Sequence, residues 1–407
     1  MEKKTISSRN IFLLIITFMF ASFCIFYNYS WGKYVLIICA AIIFTFGYVP
    51  KNGIQKVNIG PFHLFLLGFI LYCCANAIWA WNANVVFVKS FTLLQILLCY
   101  SLLYFYYDKE PNIDSLLDCV RLGGYTVAIY SFFSYGGFDG ITAVISSGER
   151  LDNTFNNVNT IAMLCAMSCI LEFHRFLYSG LKFSVVFTIP CIIMMATLQS
   201  RKAIIMLVIG IIAIAILKNF DTKRLAKSIF RSFGILIIVS VLLWFLLSMD
   251  IFEGVRERLL GVVGQTDTVE HSALLREKYI DLGLKQFLKS PIGGIGIDCS
   301  QFLTSSHGYA STYLHNNFVE LLACGGILGF ISYYAIHIYL VFNLLKYYKY
   351  DKARNIVCLT LLVILLVIDY AMVSYYDKAN YFYYMIFFLQ VKKIKKAKTK
   401  ALSEEVC

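Results

Sequence analysis

Apolar runs of membrane-spanning length recur through the 407 residues of this chain, and they settle its fold class before any motif is read. A bilayer core needs about 20 mainly apolar residues per helix, and lipid-exposed backbone must satisfy its own hydrogen bonds. Runs of that kind fall at about 11–28, 32–49, 61–80, 84–106, 115–136, 158–176, 180–198, 202–218, 232–250, 317–345, 355–374 and 378–392, which predicts roughly twelve spans. The alternating short segments of a membrane β-barrel are not evident. Hydrophobic residues make up 59% of the chain and charged residues only 15%, with a mean hydropathy of +0.71. The reading is all-α: a polytopic integral membrane protein, residues 1–407 forming a single transmembrane domain.

Lys3, Lys4 and Arg9 before "IFLLIITFMFASFC" imitate a secretory signal peptide, but no small-x-small site precedes Cys24, where Phe23 sits. The stretch is read as the first retained helix. Of the thirteen cysteines, most, including Cys73, Cys74, Cys165, Cys169, Cys191 and Cys358, fall inside apolar runs, where cysteine behaves as a small hydrophobe. Only Cys299 lies in the long polar loop, so neither a disulfide framework nor a metal site is expected.

Loop charge sets an orientation. With both termini in the cytoplasm, that side receives Lys51 and Lys56, Arg175 and Lys182, the group Lys218, Lys223, Arg224, Lys227 and Arg231, the group Lys346, Lys349, Lys352 and Arg354, and the tail "KKIKKAKTK". This satisfies the positive-inside rule. The net charge of +12 is thereby a topology signal plus attraction to anionic headgroups, and no nucleic-acid partner is expected. Residues 137–157 and 251–316 then face outward. Within the second, "SALLREKYIDLGLKQFLKS" places Leu275, Tyr279, Leu282 and Phe287 at helical spacing, with Ser272 as a cap and Pro291, Gly293 and Gly294 as a stop. An amphipathic helix over the membrane surface is expected there.

The chain contains no G-x-x-x-x-G-K-[ST], H-E-x-x-H, G-x-S-x-G or D-x-D pattern. An outward-facing site has no nucleotide supply, so a substrate should arrive already activated, and no cofactor is expected. The polar residues near that face are Arg150 with Asn156, Asn157 and Asn159, then Ser200, Arg201 and Lys202, then Arg276, and His315 with Asn316. Arginine suits bidentate contact with phosphate oxygens. A histidine where a helix begins can act as a general base beside free N–H groups that attract an anion. The set suits glycosyl transfer from a lipid diphosphate.

"SALLREKYIDLGLKQFLKSPIGGIGIDCSQF" followed by "HNNFVELLACGGILGF" resembles the signature region of the bacterial O-antigen ligase and Wzy-type polymerase family. An arginine-headed helix, a Pro-x-x-Gly-x-Gly turn and a His-Asn at a helix mouth precede a Gly-Ile-x-Gly helix. Upstream, "ERLDNTFNNVNTIAM" and "LQSRKAIIML" are similar to the family's Arg-x-x-x-x-Phe-x-x-x-Asn and Ser-Arg elements, with Lys202 departing from it where a small residue is usual. The resemblance spans about residues 145–345. It implies an inverting, metal-independent glycosyltransferase at the outer face of the bacterial cytoplasmic membrane, using an undecaprenyl-diphosphate-linked oligosaccharide as donor and a glycan as acceptor. Arg201 and Arg276 would bind the diphosphate, His315 would activate or orient the acceptor hydroxyl, and Arg150 and Asn159 would shape the cavity. A chain-length-regulating membrane protein is a further candidate partner beside membrane lipids.

Plainer roles stand beside these. His315 can cap a helix, Arg201 can reach to headgroups, and Arg276 can sit on a solvated helix face. Glu320 lies one turn inside the membrane from Asn316, where a carboxylate needs a partner; it is expected to orient His315 or meet an arginine. Asp369 is equally out of place, and Gly325 with Gly329 reads as helix packing. Three functions compete: a polymerase of lipid-linked repeat units, a ligase moving the finished glycan to lipid A core or protein, and a flippase. A transporter would show two related halves with interrupted midplane helices, and no internal repeat is found.

Overall fold

The computed structural model describes residues 8–26, 29, 34–48, 59–108, 111–147, 157–180, 182–220, 225–262 and 271–406. Their helices, in chain order, are α1 (Ser8–Ile25), α2 (Val35–Tyr48), α3 (Pro61–Asn76), α4 (Ala83–Asp108), α5 (Ile113–Ser134), α6 (Gly137–Ser147), α7 (Val158–Ser179), α8 (Ile189–Thr197), α9 (Arg201–Asn219), α10 (Leu225–Leu247), α11 (Glu253–Val262), α12 (His271–Lys289), α13 (Ser300–Ser306), α14 (Asn317–Lys346), α15 (Lys352–Ala371) and α16 (Lys378–Val406). Among the described residues there is no strand.

Six helices among the described residues are long and apolar enough to cross a membrane: Ala83–Asp108, Val158–Ser179, Arg201–Asn219, Lys227–Leu247, Asn317–Lys346 and Lys352–Ala371. Four shorter apolar helices accompany them, at Ile11–Ile25, Val35–Thr45, Pro61–Asn76 and Ser184–Thr197. The expected spans 115–136 and 378–392 fall on α5 and α16, which are not in either group. The expected span 180–198 is not one α-helix: a 3-10 turn at Lys182–Thr188 leads into α8, with Pro190 in its first turn. The polar stretch 251–316 is largely helical, carrying α11, α12 and α13. The expected amphipathic helix is α12; it starts at His271, so Ser272 lies within it, and it ends before Pro291 as proline chemistry requires.

The chain divides into two compact units. The first comprises Met1–Cys39, Asn112–Val269 and Lys352–Ile364; the second comprises Ala40–Pro111, Glu270–Asp351 and Leu365–Cys407.

In the first unit α5 packs between α1 and α7. Two adjacent glycines make this possible: a Cβ on Gly123 would press into Phe20 of α1, and one on Gly124 would collide with Ser168 of α7. The Ser168 hydroxyl uses the closeness to donate to the Arg121 carbonyl at 3.0 Å. Arg121, a charge in an otherwise apolar helix, is paired rather than stranded. Its Nη1 lies 2.7 Å from Oε2 of Glu172 on α7, to which the Tyr125 hydroxyl donates at 2.9 Å. The Glu172 side chain is fully buried, so removing either partner would strand a charge.

Helices α7 and α9 run side by side. Ser200, before α9, donates to Asn159 Oδ1 at the start of α7 (3.0 Å), and Lys218 near the end of α9 donates to the Leu177 carbonyl near the end of α7 (3.3 Å). Matching ends held together make the pair parallel.

In the second unit α3, α4, α12, α14 and α16 surround an aromatic interior that includes Tyr104 stacked on Phe62 and Tyr339 stacked on Phe388. Helix α14 is broken at Gly326, whose φ of 58° and ψ of −167° belong to a region only glycine readily enters. The break frees backbone groups on both sides, and the turn 291–296 takes them up. Ala323 and Cys324 carbonyls accept the amides of Ile295 (3.1 Å) and Gly296 (2.9 Å), while the amides of Ile327 and Leu328 donate to the Pro291 (2.8 Å) and Ile292 (3.3 Å) carbonyls. Irregular backbone at membrane depth is tolerated only where protein satisfies it in this way. From α3 and the turn that follows it, Tyr72 donates to the Gly325 carbonyl, and Asn76 (2.7 Å) and Trp79 (3.1 Å) donate to the Gly293 carbonyl. "PIGGIG" is therefore a splint for the broken helix. Gly325 and Gly329 lie against Tyr72, in line with their reading as packing positions.

Candidate active site

The break creates a short helix, residues 317–325, at whose start the His-Asn-Asn cluster lies. Asn316 caps it, accepting the Val319 amide at 3.1 Å. Asn317 is fully buried and acts as a clamp: its Oδ1 accepts the amides of Ser374 (2.9 Å) and Tyr375 (3.0 Å), and its Nδ2 donates to Tyr334 at 2.9 Å. Tyr334 passes its own proton to Asp369 Oδ2 at 2.9 Å, and Ser374 donates to the other oxygen of that carboxylate. Asp369 is thus a buried anchor for the segment after α15.

His315 sits just before the cap with φ 58°, a left-handed conformation uncommon among non-glycine residues, in which histidine, like asparagine and aspartate, is enriched. Its ring, half-buried, is flanked by Tyr279 of α12 (centroids 5.8 Å apart, planes 14° apart) and by Tyr313 (4.3 Å, 48°). Glu320 fixes the backbone on which it stands. One carboxylate oxygen accepts the Leu314 amide at 2.9 Å, and the other accepts the Ser300 hydroxyl at 2.5 Å. Among the described residues Glu320 meets no arginine: a fully buried carboxylate is satisfied more cheaply by neutral donors beside it in the fold. Its contact with this segment is to the backbone of Leu314, the residue before His315.

Arg276 precedes Tyr279 by three residues, so the two side chains leave neighbouring points of one helix face. It is half-buried and has no ion-pair or hydrogen-bond partner among the described residues. Arg201 opens α9 behind Ser200, whose hydroxyl holds Asn159; the latter's amide is in turn capped by Asn157 at 2.9 Å. Arg201 and Asn159 thus belong to the first unit, and Arg276, His315, Asn316 and Glu320 to the second. Arg150 lies outside the described residues.

Sequence reasoning missed a cation in the second unit. Lys89 of α4 places its Nζ 3.3 Å from Asp298 Oδ2 and 3.6 Å above the Tyr376 ring. Tyr375 reaches the other Asp298 oxygen at 3.5 Å. Burial pushes the Asp298 carboxyl above its ordinary range, and Lys89 pulls it part of the way back. Tyr376 is raised by burial and by the charges of Asp298 and Glu320. Lys89 and Asp108 are the charged residues of α4, and a lone basic residue in an apolar run was the available signal.

A histidine between two aromatic walls can take a proton from a hydroxyl, and an arginine one turn from Tyr279 on α12, with no partner among the described residues, can hold an anion. Comparison with curated proteins gave no match. Residues 185–334 match the family model Wzy_C, O-antigen ligase, a stretch that includes Arg201, Arg276, His315, Asn316 and Glu320. The chain, an integral membrane protein, therefore carries across residues 185–334 a domain of the O-antigen ligase/Wzy family of glycan-transferring enzymes, as the sequence resemblance implied.

Proposed function

We propose that the protein polymerises repeat units of a bacterial surface polysaccharide at the outer face of the cytoplasmic membrane, using an undecaprenyl-diphosphate-linked glycan as donor. The acceptor hydroxyl attacks the anomeric carbon of the donor sugar, and its proton passes to His315. The bond from that carbon to the diphosphate oxygen breaks, and undecaprenyl diphosphate leaves with the electron pair. Attack opposite the leaving group inverts the anomeric centre. Arg276, in the same unit as His315, binds the diphosphate, where each charge-assisted hydrogen bond contributes roughly 1.5–3 kcal/mol. Asn316 and Glu320 hold the backbone on either side of His315.

The observation that carries this reading is His315 itself, kept at φ 58° between Tyr279 and Tyr313 at the mouth of a broken helix. Backbone conformations of this kind gather at functional sites. The test is to incubate purified protein in detergent with lipid-diphosphate-linked repeat units, chelator and no nucleotide. Longer lipid-linked products with an inverted linkage support the proposal; unchanged substrate, or products formed only when metal or nucleotide is added, contradict it. The matched family, described as O-antigen ligase, supports a second reading with the same donor chemistry, in which the glycan goes to a lipid A core or a protein; adding those acceptors to the same assay separates the two.

A further inference from the structure

A cleft of about 490 Å³ runs between α12 and the α13 segment. On one side it is lined by Lys278, Asp281, Lys285, Gln286 and Lys289, and on the other by His307 and Tyr309. We propose that it binds the sugar chain of the acceptor, and that it selects chains carrying carboxylate or phosphate groups. The inference rests on the transferase reading above.

Three observations point to a ligand of this class. Gln286 is only 6% exposed, lines the cleft, and its carboxamide has no hydrogen-bond partner among the described residues. The amide end of this otherwise buried side chain opens to the cleft, and sugar hydroxyls both donate to and accept from such a group. Next, the charges are not balanced within the cleft. Lys285 is held by Asp281 at 2.6 Å, while Lys278 and Lys289 have no partner among the described residues, so two cations remain for an anion. Finally, His307 donates from Nδ1 to the Leu303 carbonyl at 2.9 Å, which leaves Nε2 as an acceptor for a hydroxyl.

The cleft also leads to the candidate active site. Tyr309, which offers an aromatic face to a sugar ring, packs edge-on against Tyr279 with centroids 5.5 Å apart, and Tyr279 stacks on His315. A chain lying in the cleft would have its end directed along these rings toward the imidazole.

The experiment titrates the full-length protein in neutral detergent with trigalacturonate, with maltotriose, and with phosphatidylglycerol, reading heat of binding. Trigalacturonate should bind at least tenfold more tightly than maltotriose, and K278E/K289E should weaken it by tenfold or more while maltotriose is unaffected. Q286A should weaken both sugars several-fold. If K278E/K289E lowers the thermal midpoint, K278Q/K289Q supplies the comparison at constant fold. Equal affinity for both sugars, or indifference to the lysine changes, would overturn the proposal, as would lysine changes that alter phosphatidylglycerol binding alone. Binding is read without turnover, so a protein that binds trigalacturonate but elongates nothing would refute the polymerase reading and leave the cleft. H315A should bind trigalacturonate as the parent does.

Discussion

The carboxylate of Glu320, in the first turn of α14, accepts the amide of Leu314 at 2.9 Å, which fixes the residue immediately before His315. A buried acid in a membrane helix is here a backbone-positioning group. Its two oxygens accept from Leu314 and Ser300, and more weakly from the Cys324 thiol, so the substitutions E320Q and E320A should separate. The glutamine presents an amide group to one of those donors and should reduce turnover partially. The alanine strands both and should destabilise the protein by about 1–3 kcal/mol, with kcat falling more than KM because His315 rather than a substrate contact has moved. Thermal unfolding in detergent and steady-state kinetics check both.

Gly326 tests the splinted break. A Cβ there would collide with the Ile292 carbonyl, and its φ of 58° disfavours any side chain. G326A should cost at least about 1–3 kcal/mol from backbone conformation alone, seen as a lower thermal midpoint and faster proteolysis within 290–300. Gly68 of α3 has nothing within 4 Å of the corresponding position, and G68A should leave the midpoint unchanged or slightly higher, since alanine is the better helix former.

The buried pair Arg121–Glu172 predicts a strong non-additivity. Replacing Arg121 by Met leaves Glu172 uncompensated and should destabilise by about 3–5 kcal/mol, whereas R121M/E172L should recover most of that loss. Equal and additive effects in the double-mutant cycle would show that the pair is not coupled as its 2.7 Å contact implies.

Asp298 gives a pH dependence with a definite sign. Its folded-state carboxyl is raised above the value of 3.8 by burial, so folding favours the protonated form. The stabilisation from this group is complete below its unfolded pKa of about 3.9 and is lost as pH rises through the folded value. D298N should flatten the difference in thermal midpoint across that window, and K89M should widen it by removing the charge that holds Asp298 down. A parent protein and D298N with parallel pH profiles would contradict this.

Hydropathy made most of the helices legible, because apolar runs of fixed length have one physical solution in a bilayer. The end of α12 before Pro291 was equally readable, since it depends on residues adjacent in sequence, whereas the cap of α14 fell on Asn316 and not on His315. The break in α14 was not: residues 317–345 read as one continuous apolar helix, and only a partner turn, Pro291 to Gly296, could reveal where its backbone groups go. The Lys89–Asp298 pair and the Arg121–Glu172 pair escaped for the same reason, each joining residues that are distant in sequence and neighbours only after folding. Arg276 and His315 were singled out by residue type; the stacking of Tyr279 from the Arg276 helix on His315 required the fold.

The central claim is that the His315 imidazole takes the proton from the attacking hydroxyl. The most direct measurement compares single-turnover rates of the parent and H315A, in detergent, with saturating lipid-diphosphate-linked repeat units across pH. Loss of a positioned general base predicts a rate lower by about 10²–10⁴-fold with donor binding retained. A parent-like rate in H315A at every pH would contradict the account.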